Sequence, residues 1–204
     1  MVYRRILEWP EKSLNFPSRD LDLQKDSQVI RDLIDTFKVS GGYGLSAPQI
    51  GLNVRAIAVN EKLLNKDNSG LELLLMINPK ILNFKDNKKF EEACFSLPNI
   101  SLEVSRFKEV EVEWLNSDGT KNRKWFKDYS SACVQHEIDH LDGILTVDKI
   151  SQLRKSRLIK KIKKYKIEKT LSNASDAQTK EEKSKAKSLK TRKKKRSIRK
   201  AKKK

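Results

Sequence analysis

The two histidines of this chain, His136 and His140, stand four residues apart in Gln135-His136-Glu137-Ile138-Asp139-His140, and the sequence has no others. On a helix that spacing is about one turn, so both rings project from one face and can hold a single metal ion. Glu137 directly follows the first histidine, where a carboxylate can take the proton of a water activated by that ion. These residue types in this order point to metal-assisted hydrolysis.

A hydrolytic metal site usually takes three protein ligands and keeps one position for water, so a third ligand is needed. The two cysteines are the candidates. Cys133 precedes His136 by three residues but is seven from His140, about 10 Å along a helix axis, too far for both to reach one ion with bonds of about 2.0 to 2.3 Å. Cys94, in Glu92-Ala93-Cys94-Phe95-Ser96-Leu97-Pro98, is remote in sequence and can approach from another element. A cysteine is often only a small buried apolar residue, a reading that stays open for both and suits Cys133 better.

The histidines need a helix, and residues 128–141 supply one, with an Asp/Ser-rich start and Gly143 just beyond the end. Residues 24–39 read as a second, amphipathic helix, with Val29, Leu33, Ile34 and Phe37 on one face and Gly41-Gly42 as its stop. The runs 54–59 and 73–77 suit buried strands, separated by a polar loop over 65–70. Residues 110–114 alternate with period two, and Asp118-Gly119 followed by 123–126 predicts a β-hairpin. A further amphipathic pattern over 151–170 predicts a basic surface helix, and 171–204, nearly devoid of apolar residues, reads as a disordered Lys/Arg-rich tail.

The formal charge of +18 suggests nucleic acid until the charges are located. Residues 151–204 hold 24 Lys+Arg against 4 Asp+Glu, leaving 21 basic and 23 acidic residues in 1–150. The basicity therefore belongs to the C-terminal quarter, and 1–150 is expected to be one catalytic domain of ordinary charge. Two cysteines do not make a disulfide scaffold, which fits a reducing cytoplasm. Neither a signal or transit segment nor a membrane span is read in the sequence, so a cytoplasmic protein acting away from membranes is expected.

Three segments together carry a resemblance. Gly42-Tyr43-Gly44-Leu45-Ser46-Ala47-Pro48-Gln49 resembles the Gly-x-Gly-Leu-Ala-Ala-x-Gln motif of peptide deformylases; Glu92-Ala93-Cys94-Phe95-Ser96 is similar to their Glu-Gly-Cys-Leu-Ser; and 135–143 matches their Gln-His-Glu-x-Asp-His-Leu-x-Gly. Order and spacing also agree, and the likeness runs from Arg4 to about Lys169. It implies an α+β fold with antiparallel β-sheets packed around the His-Glu-x-x-His helix. It implies that Cys94, His136 and His140 hold one divalent ion, Fe²⁺ in the family, although such a donor set also accepts Zn²⁺, Ni²⁺ or Co²⁺. Glu137 would shuttle the proton, while the side-chain amide of Gln49 and the backbone N–H of Phe95 would face the oxyanion.

The same resemblance places Gly42, Tyr43, Gly44 and Leu45 along a bound formyl-methionyl nascent peptide. Glu92 is expected to support a ligand and Asp139 to anchor the helix or a neighbouring strand. Tyr43, Val134 and Cys133 either shape a methionine pocket or simply pack. Two departures stand out. Ala93 replaces a family glycine and would be strained at positive φ, and Ser46 replaces an alanine, adding a hydroxyl.

Two other readings compete. A zinc metallopeptidase shares His-Glu-x-x-His, but no third histidine exists, and Glu168, the distant carboxylate in a helical setting, lies in a lysine-rich pattern. A retired deformylase domain serving RNA would be expected to lose Glu137 or a ligand, and all are present. The tail remains a separate element, suited either to salt-sensitive contact with ribosomal RNA or to plain solvation.

Overall fold

Alternation of inward apolar and outward polar residues is carried furthest in a long hairpin. A computed structural model describes residues 2–67, 69–160 and 162, and in it strands β3 (Leu73–Cys94) and β4 (Leu97–Leu115) pair antiparallel along almost their whole length. Along β4, Val104, Arg106, Val110, Val112 and Trp114 are buried. The solvated side is held by cross-strand polar pairs, including Lys89–Glu103 at 2.8 Å and Asn83–Glu111 at 2.6 Å. This explains why the apolar run over 73–77 shows only the start of β3. Register shifts between Ile77 and Lys80, Ile81 and Asn83, and Ala93 and Cys94 bend the ribbon.

Strands β1 (Gly44–Ser46), β2 (Ala56–Asn60) and β5 (Lys121–Lys127) complete a five-stranded antiparallel sheet among the described residues, in the order β1-β2-β3-β4-β5, and the chain has the expected α+β fold. The β4–β5 hairpin pairs Val110 with Phe126 and Leu115 with Lys121, with Gly119 in the turn at φ 84°. The run expected over 54–59 begins its ladder at Ala56, Val54 making only an isolated bridge to Arg19.

β2 is buried on both sides, and its alternation sorts the two layers. Ile57 and Val59 join a cluster with Met76, Val110, Val134, Ile138 and Leu141, on the side of helix α3 (Asp128–Leu141). Ala56 and Ala58 face Leu33 and Phe37 of helix α1 (Ser27–Ser40). Small residues under one helix and β-branched residues under the other let both sit close to the same strand. α3 contacts all five strands. A one-turn helix α2 (Glu61–Leu64) follows β2, its first turn capped by the Asn60 side chain.

Residue contacts divide the chain into two units, Met1–Ile150 and Ser151–Lys204. In the second, residues 152–160 and Ile162 are helical. The remainder of the helix expected over 151–170 and the tail expected over 171–204 lie outside the described residues.

Candidate metal centre and catalytic site

Cys94 ends β3 and is followed at once by the Phe95-Ser96 turn into β4, which brings its sulfur against α3. There Cys94 Sγ lies 3.2 Å from His140 Nε2, and the ligand atoms of Cys94, His136 and His140 all fall within 4.8 Å of one another. Three donors at these separations can share an ion with bonds of about 2.0 to 2.3 Å. Cys133 is not in this group. Its thiol, half-buried on the wall of the cleft, is pushed well up by burial, which disfavours a thiolate.

The His136 ring is aimed by a buried partner, whereas His140 Nδ1 is buried without a hydrogen-bond partner among the described residues. Glu92 Oε2 lies 2.9 Å from His136 Nδ1, and Arg106 grips both Glu92 oxygens at 2.7 and 2.9 Å. Burial alone would raise the Glu92 carboxyl, but the hydrogen bonds from Arg106 and His136 outweigh it and hold it at about 2. An ionised carboxylate only accepts, so Nδ1 carries the proton and Nε2 is left free to bind a cation. At His136 burial acts downward, yet Cys94 and Glu92 raise the ring well above the ordinary value. The same negative groups would attract a metal cation. His140 is pushed well below by burial and by the His136 charge, into the neutral form that ligates.

Arg106 also donates to Asp139, whose other Oδ2 partner is Lys149 at 2.9 Å, so one guanidinium ties β3, β4 and α3 together. The anchoring expected of Asp139 runs through this arginine. Arg106 escaped the sequence reading, because its place beside Glu92 and Asp139 is set by the long-range pairing of β3 with β4.

Glu137 is buried, with Oε2 unpartnered, and burial pushes its carboxyl up to about 7. Gly44 faces it. A Cβ on Gly44 would stand 2.6 Å from Glu137 Oε1, so a larger residue there would displace this carboxylate. Period two on β1 then turns Leu45 away from the cleft and into the α1 cluster, where it is fully buried. Val134, likewise, belongs to the core and not to the pocket.

Gln49 sits in the 3-10 turn Ala47–Ile50 after β1, fully buried. Its Oε1 accepts from Ser46 N–H and Ser46 Oγ, both at 2.9 Å, which turns Nε2 toward Cys94 Sγ at 3.5 Å and Ser96 Oγ at 3.3 Å. Ser46 thus holds the amide, and Ser96 joins the residues that sequence reasoning missed. Ala93 is not at positive φ, so the expected strain is absent. The cleft above these groups, of about 580 Å³, is walled by Gly42, Tyr43, Phe95, Tyr129 and Cys133 among others, with the Tyr43 and Tyr129 rings edge-to-face at 5.0 Å. Gly42, at φ 87°, meets the Phe95 ring so closely that a Cβ would lie 2.7 Å from it.

Comparison with known proteins agrees with this arrangement. The peptide deformylase of Pelagibacter ubique is 36% identical over 163 residues, covering 78% of this chain and 93% of that protein. The enzyme of Aquifex aeolicus is 32% identical over 156 residues, 76% of this chain and 91% of that one. Among solved structures, a peptide deformylase from Legionella pneumophila superposes with a TM-score of 0.72 at 30% identity, covering 83% of this chain and 98% of that one. A class I type b peptide deformylase from Acinetobacter baumannii, solved with Met-Ala-Ser bound, gives 0.65 at 27% identity, over 73% and 99%. The family model described as Polypeptide deformylase matches residues 3–156, and this chain belongs to that family.

Proposed function

We propose that this chain removes the formyl group from the N-terminal formyl-methionine of nascent polypeptides. The observation that carries the reading is one convergence: Cys94, His136 and His140 within 4.8 Å, with the Gln49 amide 3.5 Å from the sulfur and the buried Glu137 alongside. The reaction adds water to the formamide and yields formate and a free α-amine. A divalent cation held by Cys94, His136 and His140 would polarise the formyl oxygen and make water acidic enough to attack near neutral pH. Glu137 takes the proton of the attacking water and returns it to the departing amine nitrogen, a task suited to a carboxyl near 7. Gln49 Nε2–H and the Phe95 N–H donate to the oxygen that becomes negative in the tetrahedral intermediate.

The peptide lies along β1. This strand ends the sheet order, and its outer side has no strand partner among the described residues, so an extended chain can pair beside Gly42, Tyr43, Gly44 and the Leu45 backbone. Met-Ala-Ser is the peptide bound to the Acinetobacter baumannii enzyme, and a peptide of this kind would occupy the cleft of about 580 Å³. Fe²⁺ is the cation this reading favours, with Zn²⁺, Ni²⁺ and Co²⁺ also compatible with a Cys/His₂ set. No helix among the described residues is long and apolar enough to cross a membrane. The cytoplasm and ribosomal RNA near the emerging chain, reached by the basic residues 171–204, complete the proposal. Its test is formate release from formyl-Met-Ala-Ser by protein loaded with Fe²⁺ or Co²⁺, lost in Glu137→Gln and Cys94→Ser. An inactive wild-type protein with full metal content would overturn it.

A further inference from the structure

We infer that the N-terminal segment, residues 2–9, is a positioning strap for the two groups that face the oxyanion. The inference rests on the deformylase reading above. The strap is first fixed to α1: Val2 N–H donates to Asp35 at 2.9 Å, Arg4 N–H to Thr36 Oγ1 at 3.1 Å, and Arg4 Nε to the buried Asp32 at 2.7 Å. It then crosses both turns of the site. Leu7 N–H donates to the Gln49 carbonyl at 2.7 Å, and Trp9 N–H donates to the Ser96 carbonyl at 2.9 Å.

These two turns come from separate parts of the fold. Gln49 follows β1 and Ser96 precedes β4, and those strands are not neighbours in the sheet, so no ladder fixes one turn against the other. A side-chain contact, Gln49 Nε2 to Ser96 Oγ at 3.3 Å, links them in front, on the reacting side. The strap links them through the main chain. Leu7 and Trp9 give their N–H groups to the two turns, whereas the N–H of Glu8, between them, is bound to neither. Ile6 packs into the α1 cluster and Glu8 is exposed. Anchored on α1, the segment sets the spacing between the carboxamide of Gln49 and the N–H of Phe95. An error of about 1 Å in such spacing lowers a rate by up to about a hundredfold.

The test compares Leu7→Pro, which deletes the N–H bound to Gln49, with Leu7→Ala, which keeps it, and with Glu8→Pro, which deletes an N–H bound to neither turn. For metal-loaded protein acting on formyl-Met-Ala-Ser, Leu7→Pro is expected to lower kcat about tenfold or more, with KM changed less than about twofold and metal content unchanged. Leu7→Ala and Glu8→Pro are expected to keep most of kcat. Equal kcat in Leu7→Pro and Glu8→Pro would overturn the strap, whereas an inactive wild type would instead overturn the deformylase reading. Should Leu7→Pro not fold, hydrogen exchange on the unaltered enzyme decides. Slow exchange of the Leu7 and Trp9 amides is expected, and exchange as fast as in a free chain would overturn the inference.

Discussion

Glu92 and His136 are joined by a 2.9 Å contact between carboxylate oxygen and Nδ1, and the carboxylate is itself gripped on both oxygens by Arg106. The pair fixes which ring nitrogen is presented to a metal. Loss of such a partner typically weakens metal binding by about 10- to 100-fold. Glu92→Ala is therefore expected to release its ion to a chelator at concentrations that leave the wild type loaded. Glu92→Gln, which keeps an acceptor but loses the charge, should fall between them. Metal analysis after dialysis reads the outcome, and equal retention in all three proteins would remove the role given to Glu92.

Gly44 offers a sharper test of the catalytic carboxylate. A methyl group there would sit 2.6 Å from Glu137 Oε1, inside van der Waals contact, so the buried carboxylate must shift from its place. Gly44→Ala should cost about a hundredfold in kcat/KM by displacing the proton carrier, while the Cys94, His136 and His140 ligands still take up metal. Activity within threefold of wild type would show that the carboxylate can move without consequence.

A pH effect is expected far from the site. Arg19 donates to both Asp26 oxygens at 2.7 and 2.8 Å, and with the Asp22 N–H at 2.9 Å it holds the Asp26 carboxyl at about 2, below the ordinary 3.8. A folded-state value below the unfolded one stabilises the protein above the unfolded value, and the gain disappears as pH falls through the folded one. Wild type should thus exceed Asp26→Asn in melting temperature by a constant margin above about pH 5, shrinking between about pH 4 and 2. Arg19 is largely exposed, so the margin will be small and reduced by salt. A margin that grows on acidification would contradict the assignment.

The helix carrying His136 and His140 was fully legible, because its start, stop and chemistry all lie within 16 residues, 128–143. The β4–β5 hairpin was legible for the same reason. What the sequence hid was long-range. β3 continues for 17 residues past the apolar run because one face is solvated and stabilised by pairs with β4, which no local pattern reveals. Arg106 became meaningful only when the register set it beside Glu92 and Asp139. The inward turn of the Leu45 side chain was hidden too, because a motif names neighbours in sequence, whereas a strand sends neighbours to opposite faces.

That two-faced alternation also governs which length changes the chain tolerates. β2 pairs Gly44 with Val59 and Leu45 with Ala58 while dividing its own side chains between α1 and α3. Deleting or inserting one residue within 56–60 would exchange Ile57 and Val59 for the alanines beneath α3 and slide Leu45 or Tyr43 against Glu137. Loops such as 65–70 can vary in length at little cost, but this short strand keeps frame for the packing of both helices and for the active carboxylate at once.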